Sequence, residues 1–365
     1  MMQKIPLLCM ALILVAAAGA QTQNPAQAPP SGTATTPQGT AAQRQKPPAI
    51  VQITQLVIVP VTVKDAKGQL VGDLQRDDFR IFSDGVEQKV RQFSSDSVPL
   101  SAVVLIDNDL GQQAANQVQK SLTAISAGFG LSDETALVTY DQFPETVSDF
   151  SANNDLLFTT LKRLEIGSHN GQVIADPTNA GPLGNTGGPA TPTGAPMPRH
   201  GSQRYKITTA LDDAVYAAGD MLKERGRDRR KIIFIISDGS NSKLNTHTFD
   251  QTLHLLLSAD VSVYAIFVSH TLPIGRSLLQ HGVSELDRYA VSTGGDEFSA
   301  TKQPELERMY SDVTEQARNQ YTLTFIPDDV DRAKDYHEIE VRVKRPDLTV
   351  DTRKGYYLSA IGVGH

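Results

Sequence analysis

Two stretches of the sequence decide the fold: LSAVVLID at residues 100–107 and KIIFIISDG at residues 231–239. Each is an almost continuous apolar run that reaches a carboxylate, Asp107 in the first and Asp238 in the second. Such a run is typical of a parallel strand that is buried on both faces of a sheet. Helical patterns separate these runs from other strand-like runs, and this alternation indicates right-handed β-α-β units. We therefore predict an α/β fold with a doubly wound, mostly parallel sheet.

Shorter β-like segments flank this region on both sides. Residues 57–63 are rich in β-branched side chains, and residues 79–82 run into the hairpin signal SDG. At the other end, residues 337–343 alternate between polar and apolar side chains. Neither group is large enough to be stable alone. We predict that they pair into one small antiparallel β-sandwich, with the α/β domain inserted between them.

The N-terminus has the pattern of a secretory signal peptide. Lys4 precedes an apolar run at residues 5–18, and small residues at 18–20 come directly before Gln21. The apolar run is shorter than the ~20 residues of a membrane-spanning helix. We predict cleavage near Ala20 and Gln21 and a secreted or periplasmic protein with no membrane span in its mature chain. An uncleaved membrane anchor is the alternative.

Changes in composition divide the chain after the signal peptide at residues 1–20. Residues 21–48 are rich in Gln, Pro, Thr and Ala and predict a disordered linker. The predicted parts that follow are the first half of the sandwich at 49–97, the α/β domain at 98–319 and the second half of the sandwich at 320–359. Within the α/β domain, residues 167–205 form a Gly/Pro-rich loop insertion.

Composition and the lack of certain motifs exclude several functions. Lys and Arg number 34 against 41 Asp and Glu, and this net charge of −7 argues against a nucleic-acid partner. The single cysteine, Cys9, lies in the N-terminal apolar run, which excludes a disulfide framework and a cysteine nucleophile. The sequence has neither a Walker loop nor a Gly-x-Gly-x-x-Gly motif after the first buried strand, so it indicates no nucleotide.

The two carboxylates at the strand ends form the candidate site. Ligands of an open parallel sheet bind beyond the carboxyl ends of the strands, where the strand order reverses. If the two strands are neighbours, Asp107 and Asp238 converge on one crevice, which a hydroxyl of Thr208 or Thr209 can also face. Two carboxylates and a hydroxyl suit a hard cation such as Mg²⁺. An Asp after a strand can also be only a helix cap or a turn residue.

Four segments match a known family: LIDNDLG at 105–111, TTALDDA at 208–214, IISDG at 235–239 and AVSTGG at 290–295. On the basis of these segments, residues 100–299 resemble a von Willebrand factor A (VWA) domain. Outside them, further matches are VTVKD at 61–65, DFRIFSDG at 78–85, VRVKRP at 341–346 and RKGYY at 353–357. Through these, residues 50–358 are similar to the acidobacterial VWA-related (VWFA-related) proteins. The resemblance implies a domain that binds other proteins, often through a metal-ion-dependent adhesion site (MIDAS).

The resemblance also implies which residues form that site. The family motif Asp-x-Ser-x-Ser falls on Asp107, Asp109 and Gly111, so a carboxylate replaces the first Ser and the second has no counterpart. The Thr position of the family falls on Thr209 and its last Asp on Asp238. A coordinating Asp109 would make the site more anionic and favour Ca²⁺ or Mn²⁺. If Asp109 points away, the site holds no cation.

We therefore predict a non-enzymatic adhesion or scaffold module with a degenerate adhesion site that takes Mg²⁺, Mn²⁺ or Ca²⁺ and binds an unidentified protein. One alternative is a metal-dependent hydrolase in which Asp107, Asp109 and Asp238 hold a catalytic cation, although the sequence shows no recognisable general base. Another is a structural envelope protein with a vestigial site.

Two other charged features have a structural interpretation. His247 and His254 are seven residues apart, whereas a metal-binding pair on a helix is spaced by four, so we interpret them as surface or packing residues. The basic run RGRDRRK at 225–231 is interpreted as a solvated turn before a strand, and contact with an acidic partner is the alternative.

Overall fold

The computed structural model describes residues 55–167, 209–268, 284–300, 302–328, 331 and 333–358. All of these belong to one compact unit, Gln52–His365. The predicted signal peptide and linker, the Gly/Pro-rich loop from residue 168 onward and Thr208 lie outside the described residues. The predicted domain boundaries remain predictions.

The described residues form fourteen strands and six α-helices. The strands are β1 Val57–Lys64, β2 Phe79–Ser83, β3 Val86–Gln88, β4 Gln92–Ser94, β5 Leu100–Asp107, β6 Glu134–Tyr140, β7 Pro144–Ser151, β8 Arg230–Ser237, β9 Val261–Val268, β10 Glu297–Ala300, β11 Tyr321–Phe325, β12 Tyr336–Val343, β13 Thr349–Thr352 and β14 Gly355–Tyr357. The helices are α1 Gln112–Ser121, α2 Asn154–Arg163, α3 Leu211–Lys223, α4 Phe249–Ser258, α5 Glu285–Thr293 and α6 Gln303–Arg318. Two 3-10 helices are Arg76–Asp78 and Leu122–Gly128.

A six-stranded sheet forms the centre of the molecule, in the order β10-β9-β8-β5-β6-β7. Its strands are parallel except for β7, which is antiparallel to β6. The strand order reverses between β5 and β8, the two runs that reach a carboxylate. The predicted doubly wound, mostly parallel sheet is confirmed, and Asp107 and Asp238 follow neighbouring strands at its carboxyl edge.

Helices cover both faces of this sheet. Val104 and Ile106 of β5 share a core with side chains of α1, α2 and α6. Val103 and Leu105, the alternate residues of the same strand, share a second core with α3, α4 and α5. All eight residues of β5 are buried, because successive side chains of one strand enter two different cores. Burial of β5 on both faces is what its continuous apolar run, without alternating polar residues, predicts.

The terminal β segments form two antiparallel sheets around a third core. Their orders are β13-β1-β11-β4 and β14-β12-β2-β3, so each sheet combines strands from both ends of the chain. Val59, Ile81, Leu323 and Tyr356 are among the buried side chains that the two sheets share. The prediction that the two terminal groups pair with each other is confirmed.

Two segments of the chain are each divided between the two antiparallel sheets. The run at residues 86–93 contains β3, which pairs with β2, and β4, which pairs with β11. The run at residues 348–357 contains β13 and β14, which pair with β1 and β12. In both places the chain turns from one sheet into the other. The apolar pattern continues through these corners, because one core lies on the inner faces of both sheets.

The basic run contains the predicted turn before β8, where Gly226, Arg227 and Asp228 are exposed, but several of its other side chains are held by the protein. Arg225 forms an ion pair with Glu134, with 2.6 Å between its Nη2 and a carboxylate oxygen. Arg229 donates to the backbone carbonyl of Leu100 at 2.8 Å. Lys231 is only 6% exposed. The side chains of Arg229, Arg230 and Lys231 donate hydrogen bonds to backbone carbonyl groups.

Candidate functional site

The structure brings all four predicted site residues to the carboxyl edge of the parallel sheet. Asp107 is the last residue of β5, and Asp238 directly follows β8, the neighbouring strand. Asp109 lies two residues after β5, and Thr209 lies just before α3. Three separate stretches of chain thus meet at the point where the strand order reverses.

Asp107 is the buried centre of the site, with 1% of its surface exposed. One carboxylate oxygen accepts the Ser237 hydroxyl at 2.7 Å, and the other accepts the backbone N–H of Asp109 at 2.9 Å. Burial raises the pKa of Asp107 to about 7, and the nearby carboxylates of Asp238 and Asp109 act in the same direction. The two hydrogen bonds oppose this rise. The buried surroundings and the two nearby carboxylates therefore disfavour the ionised form of Asp107.

Thr209 connects the two loops on either side of Asp107. Its hydroxyl donates to a carboxylate oxygen of Asp109 at 3.2 Å. Its backbone carbonyl accepts the N–H of Ser242 at 2.7 Å, and the N–H of the next residue, Ala210, donates to the carbonyl of Asp141 at 2.7 Å. The position of the hydroxyl is therefore fixed by the loops that follow β6 and β8.

The turn after β8 fixes the orientation of the Asp238 side chain. Gly239 adopts a left-handed conformation with φ +74°, which favours glycine, and its N–H donates to the Ser237 hydroxyl oxygen at 3.0 Å. One carboxylate oxygen of Asp238 accepts the N–H of Ser240 at 2.9 Å. Gly111, by contrast, lies at the start of α1 and has no side chain to supply the second hydroxyl of the family motif.

Sequence reasoning missed two residues of this site, Ser237 and Tyr140. Ser237 donates to Asp107, and Tyr140 lies opposite Asp107 on the adjacent strand β6. The Tyr140 hydroxyl is buried beside Asp107, and no described residue forms a hydrogen bond of good geometry with it. Burial raises the pKa of Tyr140 well above its usual value, so the phenol stays protonated. No sequence signal indicates Ser237, because its role depends on the register of β8 with β5, which places it level with Asp107.

A cleft of about 640 Å³ continues from Asp238 towards α4 and α5. Asp212 lines it, but the Tyr289 hydroxyl at 2.7 Å and the Asn241 amide at 3.0 Å already donate to its carboxylate. His247 also lines it; its ring stacks on Tyr216 with centroids 3.6 Å apart. His254 contacts the ring of Tyr357. The packing interpretation of the two histidines is confirmed.

The donor chemistry of the site fits a hard divalent cation. The donors are oxygens only, from three carboxylates and the Thr209 hydroxyl. Among the described residues, no group of three or more His, Cys, Asp or Glu side chains is arranged as a ready-made cage for a metal ion. Mg²⁺, which keeps several water ligands and takes one or two carboxylates, needs fewer ligands from the protein than Ca²⁺, which takes six to eight oxygen ligands with water among them.

The chain is similar to several solved structures, although no family model and no curated protein matches it. A von Willebrand factor type A protein from Catenulispora acidiphila is 8% identical, with a TM-score of 0.43, over 84% of this chain and 75% of its own. Proximal thread matrix protein 1 from the mussel byssus is 14% identical, with a TM-score of 0.40, over 61% of this chain. The chain spans about half (49%) of that mussel protein. BatB from Bacteroides thetaiotaomicron is 10% identical, with a TM-score of 0.38, over 60% of this chain and 98% of its own.

The solved structures that resemble this chain thus include VWA domain proteins. The mussel protein is also known in a form with a zinc-occupied MIDAS motif. At identities of 8 to 14%, these likenesses assign no ligand to this chain. Within the described residues, no helix is long and apolar enough to cross a membrane.

Proposed function

We propose that this protein is a VWA-type adhesion or scaffold module that binds a protein partner at the carboxyl edge of its parallel sheet. The observation that carries the proposal is the meeting of Asp107, Asp109, Asp238 and the Thr209 hydroxyl at the point where β5 and β8 diverge. This is where an open α/β sheet binds its ligands. A cleft continues from the same point and gives room for a partner's side chains.

We further propose that the site takes a divalent cation, Mg²⁺ or Mn²⁺ rather than Ca²⁺. Asp107 and Asp238 would hold it, with Thr209 and Asp109 beside them. A bound cation would offer an open coordination position to a carboxylate of the partner. The chain's own contribution is orientation, since Ser237 fixes Asp107 and the Gly239 turn fixes Asp238. The degenerate motif, with a carboxylate at 109 and no side chain at 111, would leave this cation with fewer hydroxyl ligands.

Thermal unfolding with added cations tests this proposal. At a free cation concentration of about 100 Kd, binding stabilises the folded state by about 2.7 kcal/mol, which raises Tm by roughly 5 to 10 °C. We expect this rise for the wild type with Mg²⁺ or Mn²⁺, a smaller one with Ca²⁺, and none for Asp238→Asn. Asp77→Asn, which removes an exposed carboxylate from the sandwich, is the matched control and should respond like the wild type.

Three results would contradict this proposal. If no cation shifts the Tm of the wild type, the site is not a metal site. An equal shift in Asp238→Asn would place the binding elsewhere. Mn²⁺-dependent hydrolysis of a phosphodiester by the wild type, lost in Asp107→Ala, would establish the hydrolase alternative instead. Metal analysis of protein purified without added cations separates a working site from a vestigial one in a structural envelope protein.

Two exposed apolar side chains at the same edge give a prediction about partner binding. Phe143, on the loop after β6, is 74% exposed, and Leu244, on the loop after β8, is 80% exposed. Exposed aromatic and aliphatic anchors commonly carry much of the binding energy of an interface. We expect Phe143→Ser and Leu244→Ser each to weaken binding of the protein that co-purifies with the exported form by about tenfold or more.

The matched control for this prediction is Leu131→Ser. Leu131 is 93% exposed and lies before β6, at the opposite edge of the sheet. The free energy of unfolding of all three variants should lie within about 0.5 kcal/mol of that of the wild type, because they change exposed positions. Binding is measured by titrating the partner against each variant. Equal loss in all three variants, or loss in Leu131→Ser alone, would place the partner elsewhere.

We also propose that the protein is exported and acts in the periplasm or outside the cell. The support is the sequence pattern at residues 1–20. If this is correct, the chain recovered from the extracytoplasmic fraction begins near Gln21. A chain that retains Lys4 would support the uncleaved anchor.

A further inference from the structure

The hydroxyl group of Tyr140 is a buried polar group at the carboxyl edge of the parallel sheet. The side chain is only 1% exposed, and its hydroxyl has no hydrogen-bond partner of good geometry among the described residues. A buried hydroxyl without a partner makes the folded state less stable than it would be with an apolar side chain of the same shape. The chemistry around this hydroxyl therefore needs an explanation.

The register of the sheet places Tyr140 beside Asp107. The strands β5 and β6 are parallel, and Asp107 pairs with Tyr140 just as Leu105 pairs with Val138 two residues earlier. Leu105, Val138 and Tyr140 all belong to the core shared with α3, α4 and α5. Because side chains alternate along a strand, Asp107 points to this same face. The Ser237 hydroxyl, which donates to Asp107, completes the group on this face.

The Tyr140 hydroxyl acts here as a donor. Burial raises the pKa of Tyr140 well above its usual value, so its oxygen keeps the proton. The charged groups that act on this phenol are the carboxylates of Asp107 and Asp238, which accept hydrogen bonds when ionised. The proton of Ser237 is already donated to Asp107. The phenol proton therefore lies among acceptors, and its nearest charged acceptor is at the proposed cation site.

The Asp107 carboxylate can accept more hydrogen bonds than the structure shows. An ionised carboxylate has about four acceptor positions on its two oxygens. The Ser237 hydroxyl and the Asp109 N–H occupy two of them. The remaining positions are open to a cation and to one further donor. A hydrogen bond to an ionised acceptor is about twice as strong as one between neutral groups, so a third donor would affect this carboxylate measurably.

We propose that Tyr140 is a positioning residue of the cation site, and that its hydroxyl donates a third hydrogen bond to the Asp107 carboxylate when a divalent cation is bound. This inference rests on the cation site proposed above. A carboxylate that binds a metal ion is ionised, which is the form that accepts this bond. Tyr140 would thus raise the affinity for the cation without being one of its ligands, and its hydroxyl would gain the partner that it lacks in the cation-free protein.

Tyr140→Phe removes only the hydroxyl, and Tyr264→Phe is the matched control. Tyr264 lies on β9, is fully buried, and also has a hydroxyl without a partner among the residues that the structure describes. Its side chain, however, belongs to the core on the other face of the sheet, with α1, α2 and α6. In chelator we expect both variants to keep a Tm within about 3 °C of that of the wild type, because neither loses a hydrogen bond of good geometry.

Calorimetric titration with Mg²⁺ and Mn²⁺ measures the effect on cation binding. We expect Tyr140→Phe to raise Kd by about tenfold or more, because it loses a hydrogen bond to a charged group. Tyr264→Phe should bind like the wild type. Near-ultraviolet difference spectra provide a second readout that a merely structural role would not change. Adding the cation should alter the tyrosine absorption of the wild type and of Tyr264→Phe, and this change should be absent in Tyr140→Phe.

Two results would overturn this inference and leave the cation site in place. One is a Tyr140→Phe protein that binds the cation as tightly as the wild type or keeps the spectral change. The other is a fall in the Tm of Tyr140→Phe in chelator far beyond that of Tyr264→Phe, since the hydroxyl would then already have a partner in the cation-free protein. If calorimetry detects no binding of either cation to the wild type, the proposed cation and this inference both fail.

Discussion

Asp107→Asn is expected to make the cation-free protein about 2 to 3 kcal/mol more stable at pH 8. The pKa of Asp107 rises from 3.8 to about 7 on folding, chiefly through burial. A rise of about three in the pKa lowers the free energy of unfolding by roughly 4 kcal/mol at a pH where the carboxylate is ionised in the folded protein. The neutral amide avoids this loss but gives up about 1 to 2 kcal/mol, because its single oxygen cannot accept from both Ser237 and the Asp109 N–H.

The direction of the pH dependence follows from proton binding. Between pH 4 and pH 7 the folded protein holds a proton on Asp107 that the unfolded chain has released, so this group's contribution to stability falls as the pH rises. The stability difference between Asp107→Asn and the wild type should therefore grow from pH 5 to pH 8. Urea unfolding of both proteins with a chelator at several pH values measures this difference. The other titrating groups are the same in both proteins, so their contributions cancel in the difference.

A saturating cation should reverse the order of stability. It would stabilise the ionised carboxylate of the wild type, whereas Asp107→Asn should no longer respond. Asp77→Asn should show neither effect. If Asp107→Asn is less stable than the wild type at pH 8 in chelator, then Asp107 is not the strained carboxylate that its burial indicates.

Gly295→Ala is expected to destabilise the protein by about 4 kcal/mol or more. Gly295 lies between α5 and β10, where the chain passes very close to β9. A Cβ atom there would lie 1.8 Å from the carbonyl oxygen of Val263 and 2.6 Å from its carbonyl carbon. These are backbone atoms of a central strand, so they cannot move aside as a flexible side chain would. Relieving the clash would require β9 or β10 to shift.

Urea unfolding of Gly295→Ala measures this cost, and Gly72→Ala is the matched control. A Cβ at Gly72 would meet nothing within 4 Å, so that variant should stay within about 0.5 kcal/mol of the wild type. If Gly295→Ala does not fold, its yield as soluble protein relative to Gly72→Ala gives the same comparison. A Gly295→Ala protein within 1 kcal/mol of the wild type would show that the close approach is absent.

The parallel sheet could be predicted because β5 and β8 are buried on both faces, which removes polar residues from the pattern. The same pattern placed Asp107 and Asp238 at one edge, since parallel strands end on the same side. It did not indicate what surrounds Asp107. Ser237 looked like part of an apolar strand that reaches Asp238, and its hydroxyl acquires a role only when β8 lies level with β5.

Composition predicted the exposed turn within residues 225–231 but not the burial at the end of the run. Charge in a short segment usually indicates solvent exposure, yet Arg230 and Lys231 are the first two residues of β8 and point to opposite faces of the sheet. Their acceptors are carbonyl groups of distant residues, including Ala317 and Ala259. A backbone carbonyl is present at every position, so the sequence offers no signal for which of them will accept a buried cation.

The pairing of β1 has a consequence for the order in which the protein folds. Its neighbours are β11 and β13, near the opposite end of the chain. A chain that emerges N-terminus first, from the ribosome or on export, can complete the central sheet before either neighbour of β1 has emerged. The sandwich is therefore the last part to close, and contacts this distant along the chain form slowly. Until then β1 remains an open edge, which in an incomplete chain can pair with another copy.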